Sequence, residues 1–138
     1  MLGLNTKKTI DENKENFIAT KHFDDKALKE LVDYMLIVDS VVTRLILTDG
    51  SLSKDGIDYL IEKYGHKLEE LDISENGLKD CDIESLIRLT TDSKLKVLCI
   101  NNNFLSAAIV NTLKERGFEY LEADDQEFIE ESLSLIHI

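Results

Sequence analysis

Residues 68–78, LEELDISENGL, and residues 95–105, LKVLCINNNFL, carry the same spacing of apolar side chains. In both stretches leucine stands at the first, fourth and last positions, isoleucine at the sixth and asparagine at the ninth. The fourth and sixth residues are two apart, so on a β-strand both side chains point to one buried face. An asparagine three residues later can hydrogen-bond backbone groups that a turn leaves unpaired. The spacing therefore predicts a strand and a turn in each stretch, with Asn76 and Asn103 as structural turn residues.

The same spacing recurs along the chain when the isoleucine position is taken as the origin of each unit. Five, ten and thirteen residues beyond each origin stands another apolar residue. The last two are an i,i+3 pair, which indicates a helix packed behind the strand. Units of this length indicate a stacked repeat. The predicted origins are Ile18, Leu47, Ile73, Ile100 and Ala123, with spacings of 29, 26, 27 and 23 residues.

The repeats divide the chain into a polar N-terminal extension, residues 1–15, and one repeat domain, residues 16–138. The predicted units lie near 16–41, 42–67, 68–94, 95–117 and 118–138. The first unit is expected to be an N-terminal cap, because Lys21 takes the place of its turn asparagine. The last unit ends in an apolar tail that either closes the stack or forms a weak homodimer, so a monomer or a weak homodimer is expected. The apolar residues of this tail are Leu133, Leu135, Ile136 and Ile138.

The region from Leu68 to Leu105 resembles the ribonuclease-inhibitor type of leucine-rich repeat. The resemblance implies an α/β fold: a right-handed β-α superhelix of about five repeats, with a parallel sheet on the concave face and helices on the convex face. It also implies binding through the concave face, as in inhibitors, adaptors, pointed-end cappers of actin and some activators of small GTPases. Short intracellular versions resemble secreted bacterial effectors that act inside a host cell. A non-enzymatic protein-interaction module is therefore expected.

The charge composition narrows the class of partner. The chain carries 28 acidic against 16 basic residues, a formal net charge of −12. This charge disfavours binding to nucleic acid or to anionic membranes, and it favours a protein partner with a basic surface. No apolar run approaches the length of a membrane span, and the N-terminal residues are polar. We expect a cytoplasmic protein, or one delivered into a host cytosol if it is a secreted effector.

The candidate binding residues are those that alternate with the buried strand positions or follow them in the turns. Most are acidic, which suits a partner segment rich in Lys or Arg, and Tyr120 adds an aromatic anchor. Alternatively, the acidic residues only keep an exposed sheet soluble. The predicted protein-binding residues are Arg44, Asp49, Glu70, Asp72, Glu75, Lys96, Asn101, Tyr120, Glu122 and Asp124.

The sequence shows no convincing catalytic spacing, and we predict no catalytic residue, metal site or cofactor. His22, His66 and His137 fall in separate units and do not converge on Cys99. The acidic pair Asp24-Asp25 precedes a helical pattern, as expected of an N-cap and a first-turn residue.

Two alternatives stay open at the level of sequence. One is a small doubly wound α/β regulatory domain in which Asp49 mimics a phosphoacceptor aspartate. The other is a leucine-rich-repeat regulator of a small GTPase, which rests on the resemblance alone.

Overall fold

A computed structural model describes residues 2–12, 14–19, 21–89 and 93–127. Within these residues the chain alternates between three-residue strands and helices. In chain order the elements are α1 (Leu4–Asp11), β1 (Asn16–Ile18), α2 (Asp25–Ile37), β2 (Arg44–Ile46), α3 (Lys54–Tyr64), β3 (Glu70–Asp72), a 3₁₀ helix (Asp80–Ile83), α4 (Glu84–Ile87), β4 (Val97–Cys99), α5 (Ala107–Lys114) and β5 (Tyr120–Glu122).

The five strands of the described residues form one parallel sheet in the order β1-β2-β3-β4-β5. The protein is therefore an α/β protein. Strand order follows chain order without a reversal, and each helix contacts the next helix along the chain. Doubly wound domains reverse their strand order at a switch point and carry helices on both faces. The observed order therefore argues against the doubly wound alternative.

The apolar core lies between the sheet and the row of helices. One buried residue per strand is in register across the sheet in the first four strands, and Leu121 continues the row half-buried in β5. Behind them the i,i+3 helical pairs are buried in the first four units. The buried strand residues are Phe17, Leu45, Leu71 and Leu98, and the helical pairs are Leu28 with Leu31, Ile57 with Leu60, Ile83 with Leu86, and Val110 with Leu113.

The register predicted for the first unit is wrong by one residue. Ile18, its predicted origin, pairs with Ile46 on the outer face and is 59% exposed. Ala19 occupies the equivalent place instead, because its N–H donates to the carbonyl of Ile46 as that of Leu47 donates to the carbonyl of Asp72. The first spacing is therefore 28 residues. Adjacent Phe17 and Ile18 are both apolar, so a period-two pattern alone does not choose between them.

The predicted N-terminal extension contains helix α1, which the repeat pattern did not indicate. Ile10 is buried in the core, and Thr6 is buried beside it. The hydroxyl of Tyr34 in α2 donates to Asp11 at the end of α1 at 2.6 Å. Helix α1 therefore covers the first-unit end of the core. The predicted apolar tail, residues 133–138, and Phe128 lie outside the described residues.

Candidate protein-binding face

The turns that follow the strands are joined by buried side-chain amides. The Asn76 Oδ1 accepts from the N–H of Leu52, and its Nδ2 donates to the carbonyls of Leu47 and Ile73 at 2.9 and 3.0 Å. One unit later, Asn103 Oδ1 accepts from the N–H groups of Asn76 and Leu78, both at 3.0 Å. Each amide thus bonds its own turn and the turn before it. This ladder of hydrogen bonds holds the ends of neighbouring strands in register with each other.

The ladder extends one unit beyond the asparagines. Gln126 lies at the same position in the fifth unit, where its Oε1 accepts from the N–H of Leu105 at 3.1 Å. Its Nε2 donates to the carbonyl of Ile100 at 2.8 Å. Gln126 stands where the repeat pattern has a turn asparagine. Its amide matches that of asparagine, and the extra methylene still leaves it within reach of the same groups.

The second unit has Gly50 at this position because no side chain fits there. A Cβ atom would lie 2.5 Å from the carbonyl oxygen of Phe23 and 2.7 Å from Asn76 Oδ1. Gly50 has no positive φ, so the requirement is one of space and not of backbone conformation. The amide of the following unit therefore occupies the place of a side chain in this one.

Four exposed turn residues share a left-handed backbone conformation. Their φ angles are 55°, 58°, 53° and 56° for Asp49, Glu75, Asn102 and Asp125. Each lies two residues beyond the origin of its unit, and the N–H groups of the first three donate to a carbonyl of the next unit. A left-handed residue with a side chain costs roughly 1–2 kcal/mol, which the inter-unit bonds offset. The turns therefore hold the predicted site residues Asp49 and Glu75 at equivalent places.

The outer face of the sheet brings most of the predicted binding residues together. In one row across the sheet, Arg44 is followed by Glu70, Val97 and Tyr120; in the next row, Ile46 is followed by Asp72, Cys99 and Glu122. Asp124 and Asn101 lie just beyond the second row, and exposed Lys96 precedes β4. The acidic side chains are therefore concentrated over β3 and β5.

The other half of this face is not acidic. Over β1 and β2 the outward side chains are neutral apart from Arg44, and two of them are isoleucines. They are Asn16, Ile18, Arg44 and Ile46. The predicted acidic character of this face therefore comes from its β3 and β5 side chains.

Tyr120 is held by hydrogen bonds although 52% of it is exposed. Its hydroxyl donates to Glu122 Oε2 at 2.6 Å, and Asn101 Nδ2 donates to Glu122 Oε1 at 2.6 Å. The Asn101 Oδ1 in turn accepts from the N–H of Asp124. The hydrogen bonds from Tyr120 and Asn101 hold the pKa of Glu122 below its usual value. The bond between Tyr120 and Glu122 also raises the pKa of Tyr120. A fixed aromatic ring therefore stands beside an ionised carboxylate.

We call the part of the outer face over β3, β4 and β5 the acidic half, because it contains Glu70, Asp72, Glu122 and the adjoining Asp124. Cys99 lies at its centre, between Asp72 and Glu122. Burial raises its pKa to about 11, and the charges of Asp72, Glu122 and Glu70 add to the shift. The thiol is therefore neutral near pH 7. Together with its neighbour Val97, Cys99 forms a short uncharged strip between two sets of carboxylates.

Three aspartates at or near the start of a helix also connect units, although the sequence suggested only a helix-start role for Asp25. Asp25 accepts from the N–H of Ser53, and Asp80 accepts from that of Ser106, both at 2.8 Å. Asp82 accepts from the N–H of Lys54 at 3.0 Å. Their spacing of 26 to 28 residues from their partners matches the repeat period. This spacing is the signal that could have revealed them.

The histidines that were considered for a catalytic role make separate structural contacts. His22 bonds the hydroxyl of Ser51 at 2.8 Å, and His66 lies beside the ring of Tyr64. His137 is outside the described residues. Over residues 2–12, 14–19, 21–89 and 93–127, no group of three or more His, Cys, Asp or Glu side chains is arranged to hold a metal ion. In the same part of the chain no helix has the length and apolarity needed to cross a membrane.

No protein-family model matches the sequence, and no curated protein matches it either.

Proposed function

We propose that this chain is a leucine-rich-repeat solenoid of the ribonuclease-inhibitor-like type, a right-handed superhelix whose outer sheet face is concave. Its function is non-enzymatic: it binds a basic segment of a protein partner. The in-register strands, the amide ladder of Asn76, Asn103 and Gln126, and the helices that contact one another in sequence support this architecture. The free cysteines Cys81 and Cys99 suit a reducing compartment such as a cytoplasm.

The observation that carries the binding proposal is the grouping of carboxylates around Tyr120. Glu70 and Asp72 lie on β3, Glu122 lies on β5, and Asp124 follows it. These like charges repel one another in the free protein, and a cationic partner removes that repulsion. The half-exposed ring of Tyr120 is fixed beside Glu122 by its hydroxyl bond, and a Lys or Arg side chain can pack against such a ring by a cation–π contact.

Between these carboxylates, the uncharged strip of Val97 and Cys99 is suited to the aliphatic part of the same side chain. Lys and Arg bury their methylene groups on apolar surface while the charged end stays near carboxylates. The acidic half therefore combines an apolar floor, an aromatic ring and negative charge, which together distinguish a Lys or Arg side chain from a simple cation.

Charge reversal tests this proposal. In the double variant Glu70→Lys/Asp124→Lys, binding of Lys/Arg-rich peptides of about twelve residues should weaken at least about tenfold, measured by fluorescence anisotropy. These two positions are preferable to Asp72, since Asp72 Oδ1 accepts from the N–H of Ser74 and its loss would disturb a turn. Wild-type binding should also weaken as salt rises from low to physiological concentration.

The matched control makes the same charge change on the helical side, in the variant Glu62→Lys/Glu115→Lys. Both glutamates are exposed, at helix α3 and at the C-cap of α5. This control should bind the peptides within about twofold of wild type. Equal loss in both double variants would show that net charge alone attracts the peptides, and it would refute a site on the sheet face.

A further inference from the structure

A second feature of the surface is independent of the acidic half. Four apolar side chains are exposed within six residues at the end of α2, a segment we name the apolar corner: Leu36, Ile37, Val38 and Val41. Ile37 is 81% exposed, and the other three are 39%, 40% and 47% exposed. Single exposed apolar residues are ordinary, but a contiguous group of them marks an interaction surface.

The corner is built by the way α2 ends. Asp39 adopts a left-handed conformation with φ of 51°, and the N–H of Ser40 donates to the carbonyl of Met35 at 2.8 Å while that of Asp39 donates to the carbonyl of Leu36. These two bonds form a Schellman motif, which stops the helix and turns the chain. The chain re-enters the core at buried Val42. The bonded turn therefore holds the four apolar side chains outward.

The unit that follows places no apolar residue at this point. From the buried helical leucine to the buried strand leucine the chain takes 14 residues here, Leu31 to Leu45, against 11 from Leu60 to Leu71. After α3 the corresponding residues are Gly65, His66 and Lys67. The apolar corner is therefore additional chain and is not required by the repeat.

The charges around Val41 of the corner are balanced, in a protein of net charge −12. Val41 lines a shallow depression together with two acidic and two basic residues: Asp39, Glu69, Lys67 and Lys94. Lys67 Nζ lies 2.8 Å from Asp39 Oδ1. Over β3 and β5 the excess of negative charge opposes the approach of a second copy, whereas here both signs are present and can pair with their own image.

We infer that the apolar corner is the contact between two copies of this chain, related by a two-fold axis. A two-fold contact brings the same patch of each copy together, so it must be complementary to itself, as an apolar centre with a balanced charged rim is. The corner is small beside the roughly 1,200–2,000 Å² of a stable interface, so the dimer is weak and reversible. The apolar corner lies just before β2, so a dimer formed through it leaves the acidic half of the sheet accessible.

Sedimentation velocity over protein concentrations from micromolar to about 0.5 mM tests this inference. Wild type should shift from monomer towards dimer as its concentration rises, and Ile37→Asp should raise the dissociation constant at least about tenfold. Leu4→Asp is the matched control, because Leu4 is 83% exposed on α1 and lines a depression with Ile18 and Lys21, away from the corner residues. It should dimerise as wild type does.

Ile37 is too exposed for its replacement to endanger the fold, and circular dichroism of each variant checks this. A wild type that stays monomeric throughout the range would overturn the inference, whatever else the corner binds. A dimer with the same dissociation constant in Ile37→Asp would overturn it equally, since the copies would then meet elsewhere.

Discussion

Between β3 and β5 the turns are joined by side-chain amides, whereas between β1 and β2 the equivalent turn is closed by backbone groups. The N–H of Ser51 donates to the carbonyl of Phe23 at 2.9 Å, and Gly50 leaves the space that Asn76 fills from the next unit. The two halves also differ outside, since the acidic side chains lie over β3 and β5. The residue that fits at the turn of one unit thus depends on the side chain that the next unit places beside it.

The largest effect is expected where the amide ladder is removed. Asn103→Ala leaves the buried N–H groups of Asn76 and Leu78 without their acceptor. At about 1–3 kcal/mol for each buried unpaired group, the free energy of unfolding should fall by about 3–5 kcal/mol. Urea denaturation measures this change. Asn111→Ala on exposed α5 is the control and should stay within about 0.5 kcal/mol of wild type.

A loss below about 1 kcal/mol for Asn103→Ala would show that water or a rearranged turn replaces the ladder. The turns between β3 and β5 would then depend on side-chain amides no more than the turn between β1 and β2 does.

A smaller effect is expected at Gly50. Gly50→Ala forces a Cβ against the Phe23 carbonyl and Asn76 Oδ1, and it should cost about 2–3 kcal/mol in the same urea assay. Gly77→Ala introduces strain of another kind, because its φ is +71° while its surroundings are open. That variant should cost about 1 kcal/mol. If Gly77→Ala were the more damaging of the two, space at Gly50 would not be the limiting factor.

The last effect leaves the stability of the fold unchanged: it concerns the reaction rate of Cys99 in the acidic half. In a Cys81→Ser background, alkylation by iodoacetamide should follow a pKa of about 11, against an ordinary value of 9.0. At pH 8 the thiolate fraction, and hence the rate, should be roughly 100-fold below that of an ordinary cysteine. A further Asp72→Asn change should lower this pKa, because it removes one of the neighbouring negative charges.

An alkylation profile with its midpoint at or below pH 9 would mean that Cys99 is not buried among carboxylates. The proposed grouping of charges around β4 would then need revision.

Much of this fold could be predicted from spacing. The buried strand and helix positions of the second to fourth units follow from periods of two and about 3.6 residues, which Leu45, Leu71 and Leu98 obey. The first unit was misplaced by one residue because Phe17 and Ile18 are adjacent and both apolar. Helix α1 was missed since only Ile10 and Thr6 of it are buried, too few to make a stripe.

For the candidate site, the sequence supplied the residues without their grouping. It identified Glu70, Asp72, Tyr120 and Glu122 as outward-facing, but only pairing in register sets which of them are neighbours. It indicated only a helix-start role for Asp25, because the bond of Asp25 to Ser53 in the next unit depends on how the units stack. The apolar corner was missed for a similar reason, since exposure depends on which residues are left uncovered after packing.

The sequence by itself determined the repeat period, the α/β alternation and the excess of negative charge. These properties depend on residue order and composition, which act locally along the chain. The tertiary structure alone decided that Gly50 makes room for Asn76, that Gln126 continues the amide ladder, and that the acidic side chains gather over β3 and β5. Those relations join residues roughly one repeat apart, so they exist only once neighbouring units have stacked in register.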